Sequence, residues 1–260
     1  MRAVHAVLLV GLAAARRCKL SDVQRGDGSY VVDGCEELRL FGESIGDEGA
    51  TRLAAALGSN PPLLLVDLWH NGIGPAGARA LGAALAKNNK LQRLYLNENP
   101  LGAEGVRALA EGLGADALSP HHLWLSRTGA GDDGAIGIAE ALKKNRVLEA
   151  LDLWECGISA AGARALATAL RYNTVLRTLE LRGNPMGDGG AQAFAELMPE
   201  NKPLATLDLI NTGVSDAGRA ALRAGLAKSH ANPYIVIFED NIGPHQQRTS
   251  WEEKGLADAP

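Results

Sequence analysis

The sequence repeats one glycine at almost constant intervals over most of its length. Successive members of this set are 28, 28, 29, 28, 28 and 28 residues apart. The set is Gly49, Gly77, Gly105, Gly134, Gly162, Gly190 and Gly218. A fixed period in this range is typical of a solenoid, in which one structural unit is copied and each copy buries its apolar face against its neighbours. Most of the chain is therefore predicted to form one stacked array.

Pairs of apolar residues spaced by two precede the glycines. The pairs are Leu38/Leu40, Val66/Leu68, Leu94/Leu96, Leu123/Leu125, Leu151/Leu153, Leu179/Leu181, Leu207/Leu209 and Ile235/Ile237. A spacing of two is that of a strand with one buried face. Another leucine stands three residues before most pairs, as at Leu63 and Leu91, so each copy reads L-x-x-L-x-L. This pattern predicts eight strands.

The segments after the pairs have helical spacing, with leucines four residues apart at Leu53/Leu57, Leu81/Leu85 and Leu166/Leu170. Each unit is then a strand, a turn and a helix. Parallel strands need a crossover, which the helix supplies. The predicted fold class is α/β: a horseshoe-shaped solenoid with a curved parallel sheet on the concave side and helices on the convex side. The recurring glycine stands where the helix begins, and we expect it to allow close packing onto its own unit and the next.

The turn after each strand carries Asn71, Asn99 and Asn184 in three copies and Cys156 in a fourth. Together with L-x-x-L-x-L and G-x-x-G-A-x-A-L, this 28-residue unit resembles the ribonuclease-inhibitor-like class of leucine-rich repeats, which are also found in nucleotide-binding leucine-rich-repeat receptors. The resemblance covers residues 35–243. It implies the horseshoe fold, but the same scaffold carries ribonuclease inhibition, innate-immune sensing and GTPase activation of the Ran type.

Three segments follow from this register. Residues 35–243 hold about eight repeats, and residues 244–260 form a polar tail. Residues 1–34 are an N-terminal cap or a signal-like segment, because Arg2 precedes the apolar run Ala3–Ala15, which ends in three alanines before Arg16 and Arg17. Both interpretations of this run, a buried capping helix and a signal peptide, remain open at this point.

Composition limits the partners and the compartment. With 26 basic and 30 acidic residues the net charge is -4, which provides no overall field for nucleic acid or anionic lipid. No stretch is long and apolar enough to predict a membrane span. Three cysteines and the absence of an Asn-x-Ser/Thr sequon favour a cytoplasmic location, with secretion as the alternative if residues 1–15 are a signal peptide.

Aromatic residues concentrate at the strand positions expected to face the concave side. The chain has four Trp, four Tyr and three Phe, and six of these eleven fall among sixteen such positions. The six are Phe41, Trp69, Tyr95, Trp124, Trp154 and Phe238. Exposed aromatic residues on a rigid surface are typical anchors of protein interfaces. The alternative is a ladder in which aromatics of neighbouring strands only cover one another.

Acidic residues outnumber arginines on the same strands by ten to five, which favours a basic partner. The acidic residues assigned to the binding face are Asp67, Asp152, Glu155, Glu180 and Asp208. The alternative is that these are ordinary solvated strand positions.

No catalytic, metal or cofactor site is predicted. His70, His121 and His122 lack a cysteine or carboxylate set at metal-ligand spacing, and the repeated G-x-x-G lacks the Gly-Lys-Ser/Thr of a phosphate loop. The sequence therefore predicts a non-enzymatic protein-recognition scaffold. Two alternatives are a regulatory subunit or GTPase activator of the Ran type, with Arg127 or Asn97 as the nearest rim residue, and a secreted or surface recognition fragment in host defence.

Overall fold

The computed structural model describes residues 16–114, 117–201 and 203–228. The strands are β1 (Arg17–Cys18), β2 (Glu37–Arg39), β3 (Leu65–Asp67), β4 (Arg93–Tyr95), β5 (His122–Trp124), β6 (Ala150–Asp152), β7 (Thr178–Glu180) and β8 (Thr206–Asp208). The helices are α1 (Leu20–Val23), α2 (Gly46–Leu57), α3 (Pro75–Leu85), α4 (Gly102–Glu111), α5 (Gly131–Leu142), α6 (Ala160–Leu170), α7 (Gly187–Leu197) and α8 (Asp216–Ala227).

The eight strands form one open sheet in sequence order, and every neighbouring pair is parallel. Consecutive helices from α2 to α8 pack against one another in the same order. The predicted α/β solenoid is thereby confirmed. Strand β1 lies in the segment interpreted as a cap and was not predicted, whereas the predicted strand at Ile235–Ile237 lies outside the described residues, as do the tail and the run Ala3–Ala15.

The core lies between the sheet and the helices and consists mainly of the repeated leucines. Leu94 of β4 pairs in register with Val66 and Leu123 of the neighbouring strands, and all three side chains are buried. Helix leucines such as Leu81 and Leu109 close the same core from the other side. Because side chains alternate along a strand, the residues on either side of each leucine face away from the helices.

The turn asparagines connect each repeat to the one before it. The side-chain amide of Asn99 donates to the carbonyl oxygens of Leu68 (2.8 Å) and Leu96 (3.0 Å). Its oxygen accepts from the backbone N–H groups of Asn71 (2.9 Å) and Ile73 (3.0 Å) in the preceding repeat. One buried side chain thus satisfies four backbone groups that the irregular turn leaves without partners.

The residues that replace asparagine form fewer of these bonds. Asn184 reproduces the full pattern with Leu153, Leu181 and the N–H groups of Cys156 and Ile158. By contrast, the hydroxyl of Thr128 donates to the carbonyl oxygen of Leu125 in its own repeat (2.7 Å). The connection between repeats is therefore less uniform at such positions.

A second set of buried asparagines follows the helices and was missed in the sequence analysis. The side-chain N–H of Asn173 donates to the carbonyl oxygen of Leu142 at the end of α5 (2.8 Å), and its oxygen accepts from the N–H of Leu176 (2.8 Å). Asn88, Asn145 and Asn201 make the equivalent bonds. These side chains satisfy carbonyl groups that the end of a helix leaves unpaired. The signal was present as N-x-x-L before β4, β6, β7 and β8.

The periodic glycine lies at a close approach between one repeat and the preceding one. The N–H groups of Ser159 (2.8 Å) and Gly162 (2.9 Å) both donate to one carboxylate oxygen of Asp132, at the start of the preceding helix. A Cβ atom at Gly162 would lie 2.7 Å from that oxygen and 3.0 Å from the Cβ of Ala135. Asp47 and Asp188 bind the following helix in the same way. A Cβ atom at Gly162 would also lie 2.7 Å from the Ile158 side chain, so the glycine is required by close contacts with its own repeat and with the preceding one.

Replacing Gly162 with alanine is expected to lower the free energy of unfolding by about 1–3 kcal/mol, because the added methyl group forces the two helices apart. Gly58 is the matched control: it ends α2 with φ -63°, and a Cβ there would meet its nearest atoms at an ordinary 3.5 Å. Gly58→Ala should leave stability within about 0.5 kcal/mol. Urea denaturation measures both, and equal midpoints would refute the close-approach explanation.

Candidate functional site

The side chains that alternate with the buried leucines form three rows across the strands, which we call the open face. The first row is Glu37, Leu65, Arg93, His122, Ala150, Thr178 and Thr206. The second row is Arg39, Asp67, Tyr95, Trp124, Asp152, Glu180 and Asp208. The third row, just after the strands, is Phe41, Trp69, Asn97, Ser126, Trp154, Arg182 and Ile210. The period of the repeat thus collects residues from seven copies on one surface.

Four of the predicted aromatic residues form two pairs on β2 to β5. The rings of Phe41 and Trp69 meet edge to face at 5.3 Å, and those of Tyr95 and Trp124 stack at 4.1 Å. Phe41 is 51% exposed, whereas Trp124 is only 7% exposed. The two pairs differ in exposure: Phe41 is exposed beside the half-buried Trp69, whereas Trp124 is covered, as expected of a ladder.

Trp154 belongs to a different cluster, toward the other end of the sheet. The guanidinium groups of Arg127 and Arg182, from the two flanking repeats, lie 4.8 Å and 5.4 Å from its ring centroid. The ring lies over Gly183, where a Cβ atom would be 3.3 Å from the indole nitrogen. Cation–π contacts of this kind hold the indole in place. Trp154 is thus a half-buried residue in a cationic setting, and Phe238 lies outside the described residues.

The predicted acidic residues do not form one continuous row. Asp152, Glu180 and Asp208 are neighbours on β6, β7 and β8, but Tyr95 and Trp124 separate them from Asp67. An acidic cluster therefore occupies one end of the open face and the exposed aromatic pair the other.

Burial weakens the charge of this cluster. The side chain of Asp152 is enclosed, with the residue 5% exposed, and this burial together with the nearby Glu180 raises its pKa to about 7. The backbone N–H of Trp154 donates to this carboxylate at 2.8 Å and lowers its pKa, but by less than burial raises it. Burial also raises the pKa of Asp67 and of Asp208. At neutral pH the open face is consequently less negative than its acidic residues suggest.

Glu155 lies outside the rows, in a chain of ion pairs along the rim of the sheet. Arg127 donates to Glu155 (2.7 Å) and to Glu98 (2.9 Å), and Glu98 lies 3.5 Å from His70. All four residues have left-handed backbone conformations with φ between 50° and 55°. This chain of ion pairs was not predicted from the sequence, although its members occupy the same position in successive repeats.

The described part of the chain contains no group of three or more histidine, cysteine or carboxylate side chains that could hold a metal ion. His122 instead packs beside Trp124, with ring centroids 5.6 Å apart, and burial lowers its pKa. None of the described helices is long and apolar enough to span a membrane.

Comparison with known proteins matches four segments to a family model described as Leucine Rich repeat: residues 59–82, 87–110, 144–167 and 172–195. Each segment contains one strand and most of the helix after it. No curated protein matches the sequence significantly. Among solved structures that match, the one titled "Leiomodin-1 Actin-Binding Site 2 (ABS2)" is similar with 21% identity and a TM-score of 0.49, over 59% of this chain and 87% of that chain.

The raised pKa of Asp152 predicts a pH-dependent stability. The folded chain keeps this proton up to about pH 7, whereas the unfolded chain loses it near its ordinary pKa of 3.8. Stability is therefore lost as the pH rises from about 4 through 7. Asp152→Asn removes this penalty, and its advantage over the parent in free energy of unfolding should grow by roughly 2–4 kcal/mol between pH 4 and pH 8.

Urea denaturation at pH 4, 6 and 8 measures this difference. Asp133→Asn, which changes an exposed carboxylate on α5, is the control for removing one negative charge. A constant difference between Asp152→Asn and the parent across this range would contradict the assignment of a buried, protonated carboxyl.

Proposed function

We propose that the chain is a leucine-rich-repeat protein, as its four matched segments suggest, and that it is a non-catalytic scaffold that recognises a protein partner on the open face, the concave side of the predicted horseshoe. The 28-residue unit and the bridging turn asparagines favour the ribonuclease-inhibitor-like class within this family. One observation carries the proposal: the exposed Phe41 and the neighbouring Trp69 form a paired aromatic surface at the end of two adjacent strands.

Phe41 and Trp69 are suited to anchor an interface because both side chains are held in place before binding. Both residues follow strands whose ends are fixed by backbone bonds, such as that from the N–H of Gly42 to the carbonyl oxygen of Trp69 (3.0 Å). Their rings already touch, so binding would order few additional rotamers. The Trp69 indole N–H has no acceptor among the described residues. A small ring movement on binding would let a carbonyl group of the partner accept from it.

The acidic cluster of Asp152, Glu180 and Asp208 favours a basic partner. A lysine or arginine side chain placed on it would stabilise the charged form of Asp152 and lower its pKa. Association near neutral pH would then release a proton. The two ends of the open face thus suit a partner that combines an apolar segment with a cationic one.

The regulatory alternatives have less support. An activator of the Ran type would present a free polar residue at the rim, yet the guanidinium of Arg127 is engaged by Glu98 and Glu155. Asn97 is half-buried on the open face. A recognition fragment in host defence would use the same open face, so this alternative differs in compartment and not in mechanism.

The aromatic pair is tested by replacing Phe41 and Trp69 together with alanine. Because such residues commonly carry most of an interface's energy, we expect at least a tenfold loss of affinity for the partner recovered by affinity capture. Tyr172→Ala is the matched control, since Tyr172 is 62% exposed and lies just after α6, away from the open face. Calorimetry would measure both affinities. Equal losses, or none in either variant, would refute the proposed site.

The basic character of the partner is tested by the double variant Glu180→Gln and Asp208→Asn. We expect weaker association and a smaller dependence of affinity on ionic strength, because two negative charges are removed from the cluster. Glu196→Gln is the control, because it removes a charge from α7 on the helical side. It should change neither the affinity nor its dependence on ionic strength. An affinity that does not vary between about 50 and 500 mM salt in the parent would exclude the electrostatic contribution.

A further inference from the structure

Residues 16–35 form a cap on the first repeat. Strand β1 extends the sheet by pairing with β2, and the antiparallel bridge between Gln24 and Tyr30 turns the chain back over α1. The inner side chains of this cap are buried: Cys18, Val23, Tyr30, Val32 and Cys35. Its outer side chains are polar and exposed: Arg16, Arg17, Lys19, Ser21, Asp22, Gln24 and Arg25. A polar outer layer is what the terminal unit of a solenoid requires.

The cap is also closed covalently. Cys18 in β1 and Cys35 just before β2 form a disulfide bond, with Cα atoms 5.9 Å apart. The remaining cysteine, Cys156, is a buried free thiol in the turn after β6. Disulfides persist in oxidising compartments and are rare where thiols are kept reduced.

These observations favour the signal-peptide interpretation of the run Ala3–Ala15. A capping helix would need an apolar end face to cover, and residues 16–35 already cover the first repeat with a polar surface outside. The run retains the features of an export signal: Arg2 before it, an apolar stretch, and alanine at positions 13 and 15 before Arg16. The sheet begins at Arg17, two residues after Ala15.

We propose that residues 1–15 direct export and are removed by cleavage between Ala15 and Arg16, and that the cap is then closed by the Cys18–Cys35 disulfide in an oxidising compartment. Cleavage is a hydrolysis: water adds across the peptide bond, leaving a carboxylate on Ala15 and an amine on Arg16. Disulfide formation removes two protons and two electrons from the two thiols. A protein or glutathione disulfide accepts them and is reduced to two thiols. This inference is independent of the proposed recognition function.

The test is cell-free translation of the full chain with microsomal membranes. We expect a product that is protected from added protease, is fifteen residues shorter and begins at Arg16 on N-terminal sequencing. Small residues are required at the first and third positions before the cut, whereas the second tolerates larger ones. Ala13→Gln with Ala15→Gln should therefore abolish shortening, and Ala14→Gln should leave it intact. A full-length product outside the membranes, a different N-terminus, or equal processing of the two variants would overturn the cleavage site.

The disulfide is tested on the same product. The product is denatured and alkylated without reductant, and the alkylated cysteines are counted. We expect one alkylated cysteine, Cys156, and none in a Cys156→Ser variant. With reductant, all three cysteines of the parent should react. Alkylation of three cysteines without reductant in the processed chain would overturn the closure of the cap, whatever the outcome of cleavage.

Discussion

The rest of the structure depends on the side-chain amides that bond two repeats at once. Asn99 satisfies backbone groups in its own turn and in the preceding one, and Asn184 does the same three repeats later. A buried turn without such partners would leave several N–H and carbonyl groups unpaired, at a cost of about 1–3 kcal/mol each. The asparagine that satisfies them also joins successive repeats.

A constant offset explains why the open face exists. Since each strand pairs with the next in the same register, a residue type at one strand position is placed beside its counterpart in the next copy. The apolar positions merge into a continuous core and the alternating positions into three rows. Function is thereby free to vary along the rows without changing the fold, because the row residues contribute little to the contacts between sheet and helices.

The period and the leucine spacing were sufficient to predict strands β2 to β8, the helices that follow them and the open face. The sequence could not show that Trp124 is covered while Phe41 is exposed, since both occupy aromatic positions and only the neighbouring ring decides. Nor could it show that Asp152 is enclosed, which depends on side chains of three adjacent strands. Strand β1 was missed because Arg17–Cys18 carries no leucine pair. The asparagines before the strands were detectable from the N-x-x-L pattern and were overlooked.

The central claim, that a protein binds the open face at the Phe41 and Trp69 pair, is tested most directly by oxidative footprinting of the chain alone and with its captured partner. Hydroxyl radicals label exposed aromatic side chains, and mass spectrometry locates the label. We expect the partner to protect Phe41 and Trp69 while labelling of Tyr172 is unchanged. Protection of Tyr172 or of the exposed Ile136 on α5, with Phe41 still labelled, would contradict it.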